Sequence, residues 1–153
     1  MPNLDALLQR TTPVTLLDQD ARVGGARRFV PGMGSWNGTL SRINPAGDVI
    51  IALAWTDVPG ALGSGSTLVN NLDLYADNNG YNFQGNYIDA SGYSYKWQGT
   101  AYPDVANNVE LIRIRASDLT GNTVNVEIVP TLNGRAVPGL DGTSFNQDFA
   151  LYV

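Results

Sequence analysis

From residue 35 onward, apolar and polar residues alternate with a period of two, the spacing of extended chain. Residues 35–43 put Trp36, Leu40 and Arg42 on one side. Residues 49–55 put Val49, Ile51, Leu53 and Trp55 on one face and Ile50, Ala52 and Ala54 on the other. Both faces are apolar, which predicts a central strand that is buried on both sides. In residues 68–76, Leu68, Leu72 and Leu74 share a face, opposite Val69, Asn71, Asp73 and Tyr75. Residues 109–115 read as extended, and residues 123–129 alternate with Val124, Val126 and Ile128 inward and Asn125 and Glu127 outward. Phe149, Leu151 and Val153 predict a last strand. Shorter extended segments fall at 14–17, 27–30 and 81–83. A helical period occurs only in residues 2–10, where Asn3 can cap a short helix carrying Leu4, Leu7 and Leu8 on one side. A helix that short does not hold alone, so its apolar face predicts a partner.

Turn chemistry separates these segments. Asn44-Pro45-Ala46-Gly47 has Pro at the second and Gly at the fourth position of a turn. Asp77-Asn78-Asn79-Gly80 reads as a hairpin, because Asn-Gly supplies positive φ. Residues 118–122 turn, and residues 130–144 are mostly loop. Residues 86–107 make a loop longer than connections usually run, which predicts a short internal strand at 93–97 or a functional loop. About eight short strands with Gly, Asn and Pro turns predict an all-β, antiparallel sandwich or barrel. On this pattern alone, jelly-roll and immunoglobulin-like connections both stay open.

Composition narrows the chemistry. The 153 residues suffice for one domain with a hydrophobic core. Charged residues make up 15%, below the usual share of about 25%. The net charge of −5 leaves no basic footprint for nucleic acid. The chain has no His and no Cys, so it holds no Ser-His-Asp triad, Cys-His dyad, thiolate zinc site or disulfide. No apolar run approaches the 18 or so residues of a membrane span. Gly63-Ser64-Gly65-Ser66 lacks the spacing of a nucleophile elbow and reads as flexible loop. Asp57, Asp73, Asp104 and Glu110 could supply a glycosidase pair, but nothing in the pattern sets two of them across a cleft.

Two constellations remain. Asp57, Asn71, Asp73, Asp104 and Asn107 are hard oxygen donors in three clusters that could meet at one sheet edge and ligate Ca²⁺. The competing reading is that they hold turns through bonds to nearby backbone. Tyr87, Tyr93, Tyr95, Trp97 and Tyr102 crowd one region. They are candidates for a surface that binds polysaccharide or protein substrate, or for a cover over the open end of the sandwich.

The runs Leu53-Ala54-Trp55-Thr56-Asp57-Val58-Pro59-Gly60, Leu68-Val69-Asn70-Asn71-Leu72-Asp73-Leu74, Gly85-Asn86, Asp104-Val105-Ala106-Asn107-Asn108-Val109-Glu110 and Phe149-Ala150-Leu151 occur in this order. In these runs the chain resembles the non-catalytic C-terminal β-domain of secreted subtilisin-like serine proteases, over roughly residues 16–153. The resemblance implies a jelly roll in residues 14–153. It makes residues 1–13 the end of a preceding catalytic domain plus linker, and that domain the intramolecular partner. It implies secretion, with any targeting segment outside these residues, and Ca²⁺ stabilisation. The family's catalytic Asp, His and Ser belong to the preceding domain. Asn71 and Val58 stand where the family commonly has Asp and a second Pro, and Asn71 removes one negative charge from the ion site. The expected role is accessory, in folding, stability or substrate access; the alternative is a carbohydrate- or protein-substrate-binding module.

Overall fold

The computed structural model describes residues 16–18, 29, 32–58, 62, 65, 67–99, 102–132 and 147–153. The expected helix and linker of residues 1–13 lie outside the described residues.

The described residues form eight strands in sequence: β1 (Leu16–Asp18), β2 (Trp36–Ser41), β3 (Val49–Ala54), β4 (Asn70–Asn78), β5 (Tyr81–Gln84), β6 (Val109–Ile114), β7 (Thr123–Leu132) and β8 (Ala150–Tyr152). They make two antiparallel four-stranded sheets, ordered β1-β8-β3-β6 and β2-β7-β4-β5. Every connection except the β4–β5 hairpin passes from one sheet to the other. That is the connectivity of a jelly roll, so the immunoglobulin-like alternative falls away.

The predicted alternation produces the core. Ile51 and Leu53 of β3, Leu72 and Leu74 of β4, Ile112 and Ile114 of β6, Val124, Val126 and Ile128 of β7 and Leu151 of β8 are all buried between the sheets. Val49 packs at their margin, only partly buried. Phe149 stacks on Phe29 at 5.4 Å and meets the edge of Trp36, closing one end of the core.

Local chemistry fixes the turns. Gly47 N–H donates to Asn44 O at 3.0 Å, and Ala46 N–H to the Asn44 side chain at 3.0 Å. Arg42 donates to the Pro45 and Gly47 carbonyls of this turn and to the Gly121 carbonyl just before β7. Asn79 and Gly80 both have positive φ, 54° and 78°, the two-residue hairpin that Asn-Gly favours.

Three elements differ from the sequence reading. β3 is central, between β8 and β6, yet only one of its faces is deeply buried: Ile50 and Ala52 are half-buried and Ala54 is exposed. An antiparallel sandwich gives each sheet a single core face. β7 runs three residues beyond the expected 129, through Pro130. Pro130 pairs with Leu72, and β2, beginning at Trp36 opposite Ile128, has no residue beside it. The missing N–H faces that vacated side, so the proline is tolerated. Among its described residues the loop after β5 holds no regular strand but two single-residue bridges, Ile88 with Ser94 and Asn82 with Trp97. Asn86 and Ser94 also donate backbone N–H groups to Leu111 and Arg113 of β6, at 2.9 and 2.8 Å. This loop therefore covers the outer edge of β6, which an open sheet would leave unpaired.

Candidate functional site

The polar residues picked out by the sequence gather where β4, β5 and β6 meet. β5 pairs with β4 only from Tyr75 to Asn78. Just past its end, Gly85 N–H donates to Leu74 O at 2.8 Å. The neighbouring Leu74 N–H has lost its strand partner, and Glu110 Oε2 accepts it at 2.6 Å. Glu110 lies in the inward row of β6 with Ile112 and Ile114 and is 1% exposed. Its carboxyl oxygen thus stands in for a strand carbonyl. Gly85 makes the room: a Cβ there would lie 2.8 Å from Glu110 Cβ and would overlap Oε2.

Asn86 follows at φ 59°, a conformation Asn tolerates better than most residues. Its side chain accepts from Leu111 N–H at 3.0 Å and donates to Val109 O at 2.9 Å and to Asp104 Oδ2 at 2.6 Å. Asp104 also accepts from the Asn107 side chain at 2.7 Å and from the backbone N–H groups of Ala106 and Asn107 at 2.9 and 3.2 Å. On β4, Asn71 Nδ2 donates to Asp73 Oδ1 at 2.8 Å, and Asn71 Oδ1 is buried without a partner.

These carboxyls share one field. Burial pushes Asp73 above the ordinary carboxylate range; the Asn71 amide opposes the shift and the Asp104 charge adds to it. Burial pushes Glu110 up to about 8; the Leu74 N–H opposes this, and the charges of Asp73 and Asp104 add to it. Burial also acts upward on Asp104, but the amides of Asn107 and Asn86 with two backbone N–H groups outweigh it and hold its pKa low. Among the described residues, no Lys or Arg forms an ion pair with any of the three.

Asp57 has a different task. Its Oδ1 accepts from Val58 and Asn70 N–H at 2.9 and 3.0 Å, and its Oδ2 from Val69 N–H at 2.7 Å. It closes the loop between β3 and β4. Beside it, Trp55 Nε1 donates to Asn70 O at 3.1 Å, and Asn108 Nδ2 donates to Trp55 O at 3.0 Å. Of the five candidate ion ligands, Asn71, Asp73, Asp104 and Asn107 are therefore linked by bonds or by charge, and Asp57 is committed to backbone. Among the described residues, no three acidic side chains are arranged to hold a metal by themselves. An ion here needs Asn and backbone oxygens as well.

The aromatic region divides into three. Tyr87 lies 4.7 Å from Tyr95 and 6.0 Å from Tyr102, ring centre to ring centre. Tyr93 is held between the guanidinium groups of Arg113 and Arg115, 4.2 and 4.0 Å from its ring, and donates its hydroxyl to Asp48 at 2.9 Å. Trp97 is half-buried against the β4–β5 hairpin through its bridge to Asn82. Tyr93 thus sits against the arginines at the outer side of β6 and Trp97 against the hairpin, while the other three rings form a separate group.

No family model and no curated protein matches this chain.

Glu110 is the residue that sequence reasoning left outside the ion set. A usable signal was present: a lone Glu in the inward phase of an apolar strand, Glu110-Leu111-Ile112-Arg113-Ile114, needs a buried partner. Its raised pKa does not make it a general acid. A group sealed inside the sandwich has no path to a substrate, and its bond to Leu74 accounts for its position.

Proposed function

We propose that this jelly roll is a docked, non-catalytic accessory domain, and that the protein it serves is a secreted subtilisin-like serine endopeptidase. The observation that carries the docked role is an asymmetry between the sheets' outer faces. The β2-β7-β4-β5 sheet turns mainly polar residues outward, Asn37, Thr39, Asn125, Glu127 and Asp77, with Tyr75 and Val129 among them. The outward row of the other sheet holds Ile50, Ala52, Ala54, Val109, Leu111 and Tyr152, together with the charged Arg113. Such a face fits burial against a neighbouring protein surface. The neighbour's identity rests on the resemblance. In its support, the runs around Trp55-Thr56-Asp57, Asn70-Asn71-Leu72-Asp73, Gly85-Asn86 and Asp104 to Glu110 contact one another in the hydrogen-bonded end described above. They do structural work there, as a module without its own nucleophile requires.

Ca²⁺ fits the same end. The unpartnered Asn71 Oδ1 and a buried Asp73 without a counter-charge are what a hard cation would satisfy, with Asp104 nearby. Bound there, the ion would stabilise the native state by preferential binding.

The test compares the full-length protease with one truncated before residue 14. Truncation should lower yield and thermal half-life and affect all substrates alike. A truncated enzyme that keeps yield, half-life and every rate would refute the accessory role. Selective loss on large or insoluble substrates would replace it with a substrate-binding role.

A further inference from the structure

Tyr87, Tyr95 and Tyr102 come from three points of the long loop region and meet at its surface. Tyr87 is half-buried at the centre, while Tyr95 and Tyr102 flank it at 45% and 70% exposure. The two flanking rings are tilted by 36° and 38° to the central one, and at 4.7 Å Tyr95 overlaps the Tyr87 face, giving an aromatic platform whose exposed rings are Tyr95 and Tyr102. The platform is anchored from behind. Tyr95 N–H donates to Tyr87 O at 3.0 Å, and Tyr102 N–H donates to the buried Gln84 Oε1 at 2.8 Å. Asn86, adjoining Tyr87, ties in Asp104, two residues from Tyr102, and through it the exposed Asn107. Ring faces and planar hydrogen-bonding groups therefore stand side by side on a preset backbone.

We propose that this platform binds a neutral polysaccharide, the axial C–H faces of its sugar rings stacking on Tyr95 and Tyr102 and its hydroxyls meeting the exposed side chain of Asn107 beside Asp104. The inference is independent of the protease assignment above. Charge selects the polymer class. Asp104, whose pKa is held low, makes this side electronegative, and Arg113 and Arg115 are paired with Asp48 and Asp89. An acidic polysaccharide would be repelled. An extended peptide finds little to pair with: the backbone N–H groups of Asn86, Asp89, Ser94, Tyr95 and Trp97 are already bonded. Strand addition, the usual way to hold an extended chain, is thus closed off here. Sugar stacking needs ring faces and side-chain polar groups, and those are what remain exposed.

The experiment is affinity electrophoresis of the protein, with 1 mM Ca²⁺ throughout, in gels containing hydroxyethylcellulose, glucomannan, polygalacturonate or gelatin. Retardation is expected in at least one of the two neutral polysaccharides and in neither polygalacturonate nor gelatin. Tyr102→Ala should weaken it about tenfold, as loss of one stacked ring implies. Tyr95→Ala should do the same. Tyr81→Ala, whose ring pairs with Lys96 at the hairpin, should leave it unchanged. Thermal melts check that each variant is folded; Tyr102 is exposed enough that its truncation should not matter. No retardation in either neutral gel overturns the proposal. So does retardation that survives both platform substitutions, or tyrosine-dependent retardation by gelatin alone, which would make the surface a protein site.

Discussion

Glu110→Gln should abolish most of the pH dependence of this domain's stability. The Glu110 carboxyl is pushed up to about 8 in the folded chain from an ordinary value of 4.5. The native state therefore holds a proton that the unfolded chain releases, throughout the interval between those values. The stabilisation is fully present below about pH 4.5 and is lost as the pH rises through about 8. At up to about 1.4 kcal/mol per pH unit, the loss between pH 5 and 8 is on the order of 3–5 kcal/mol. Asp73 is also raised, so its contribution has the same sign and begins at lower pH. Gln keeps an oxygen to accept the Leu74 N–H and cannot ionise. Urea unfolding followed by tryptophan fluorescence, in chelator at pH 5, 6, 7 and 8, is the direct assay. The wild-type midpoint should fall across the series. That of E110Q should stay nearly level between pH 6 and 8 and exceed the wild type at pH 8. A wild-type midpoint that is level or rises, or an equal fall in E110Q, would refute the assignment of the proton to Glu110.

Four further outcomes follow from the same geometry. Leu72→Ala empties a fully buried site and should cost about 2–5 kcal/mol in urea unfolding. Gly85→Ala drives a methyl group into Glu110 and should cost about 1–3 kcal/mol; a neutral result would mean that the β5 end relaxes freely. Asp57→Ala removes the acceptor of three backbone N–H groups and should cost about 2 kcal/mol or more, while leaving any Ca²⁺ heat in titration calorimetry unchanged. Millimolar Ca²⁺ should raise the melting temperature of chelator-stripped protein, with the shift reduced in Asp73→Asn; no shift and no heat would leave these side chains only their backbone-holding role.

The strands were legible because nearly every core residue sits in a period-two row. Leu72 and Leu74, Val124 through Ile128, and Ile51 with Leu53 occupy the inward positions that alternation assigned them. Turns with explicit chemistry, Asn44 to Gly47 and Asn79-Gly80, were legible for the same reason: each residue states its own backbone preference. What escaped depends on partners distant in sequence. β3 reads as buried on both faces because an apolar row looks alike in sequence whether it meets the core or lies on the outer face of the sheet. Pro130 reads as a strand end because nothing local reveals that β2 stops opposite Ile128. The five aromatics read as one cluster, and only the fold separates Tyr93, held by two arginines, from the Tyr87, Tyr95 and Tyr102 group.

Asp and Asn in a β-rich chain raise the same ambiguity in its sharpest form, since oxygen donors suit a hard cation and a stranded backbone N–H equally well. The fold resolves this residue by residue, through what each carboxylate already accepts. Asp57 accepts three N–H bonds and Asp104 four, so neither needs an ion to be satisfied. Glu110 has one backbone bond, and on β4 Asp73 is paired only with Asn71, whose own oxygen is left over. Burial without enough donors is what raises the pKa values of these two acids. The same deficit makes their surroundings the place where a proton at low pH, or a divalent cation at neutral pH, would stabilise the fold most. Proton and Ca²⁺ should therefore compete. Adding Ca²⁺ should flatten the fall in wild-type stability between pH 5 and 8, and the titration should release protons into the buffer. An ion heat independent of buffer ionisation enthalpy at pH 7 would separate the ion's binding from these two acids.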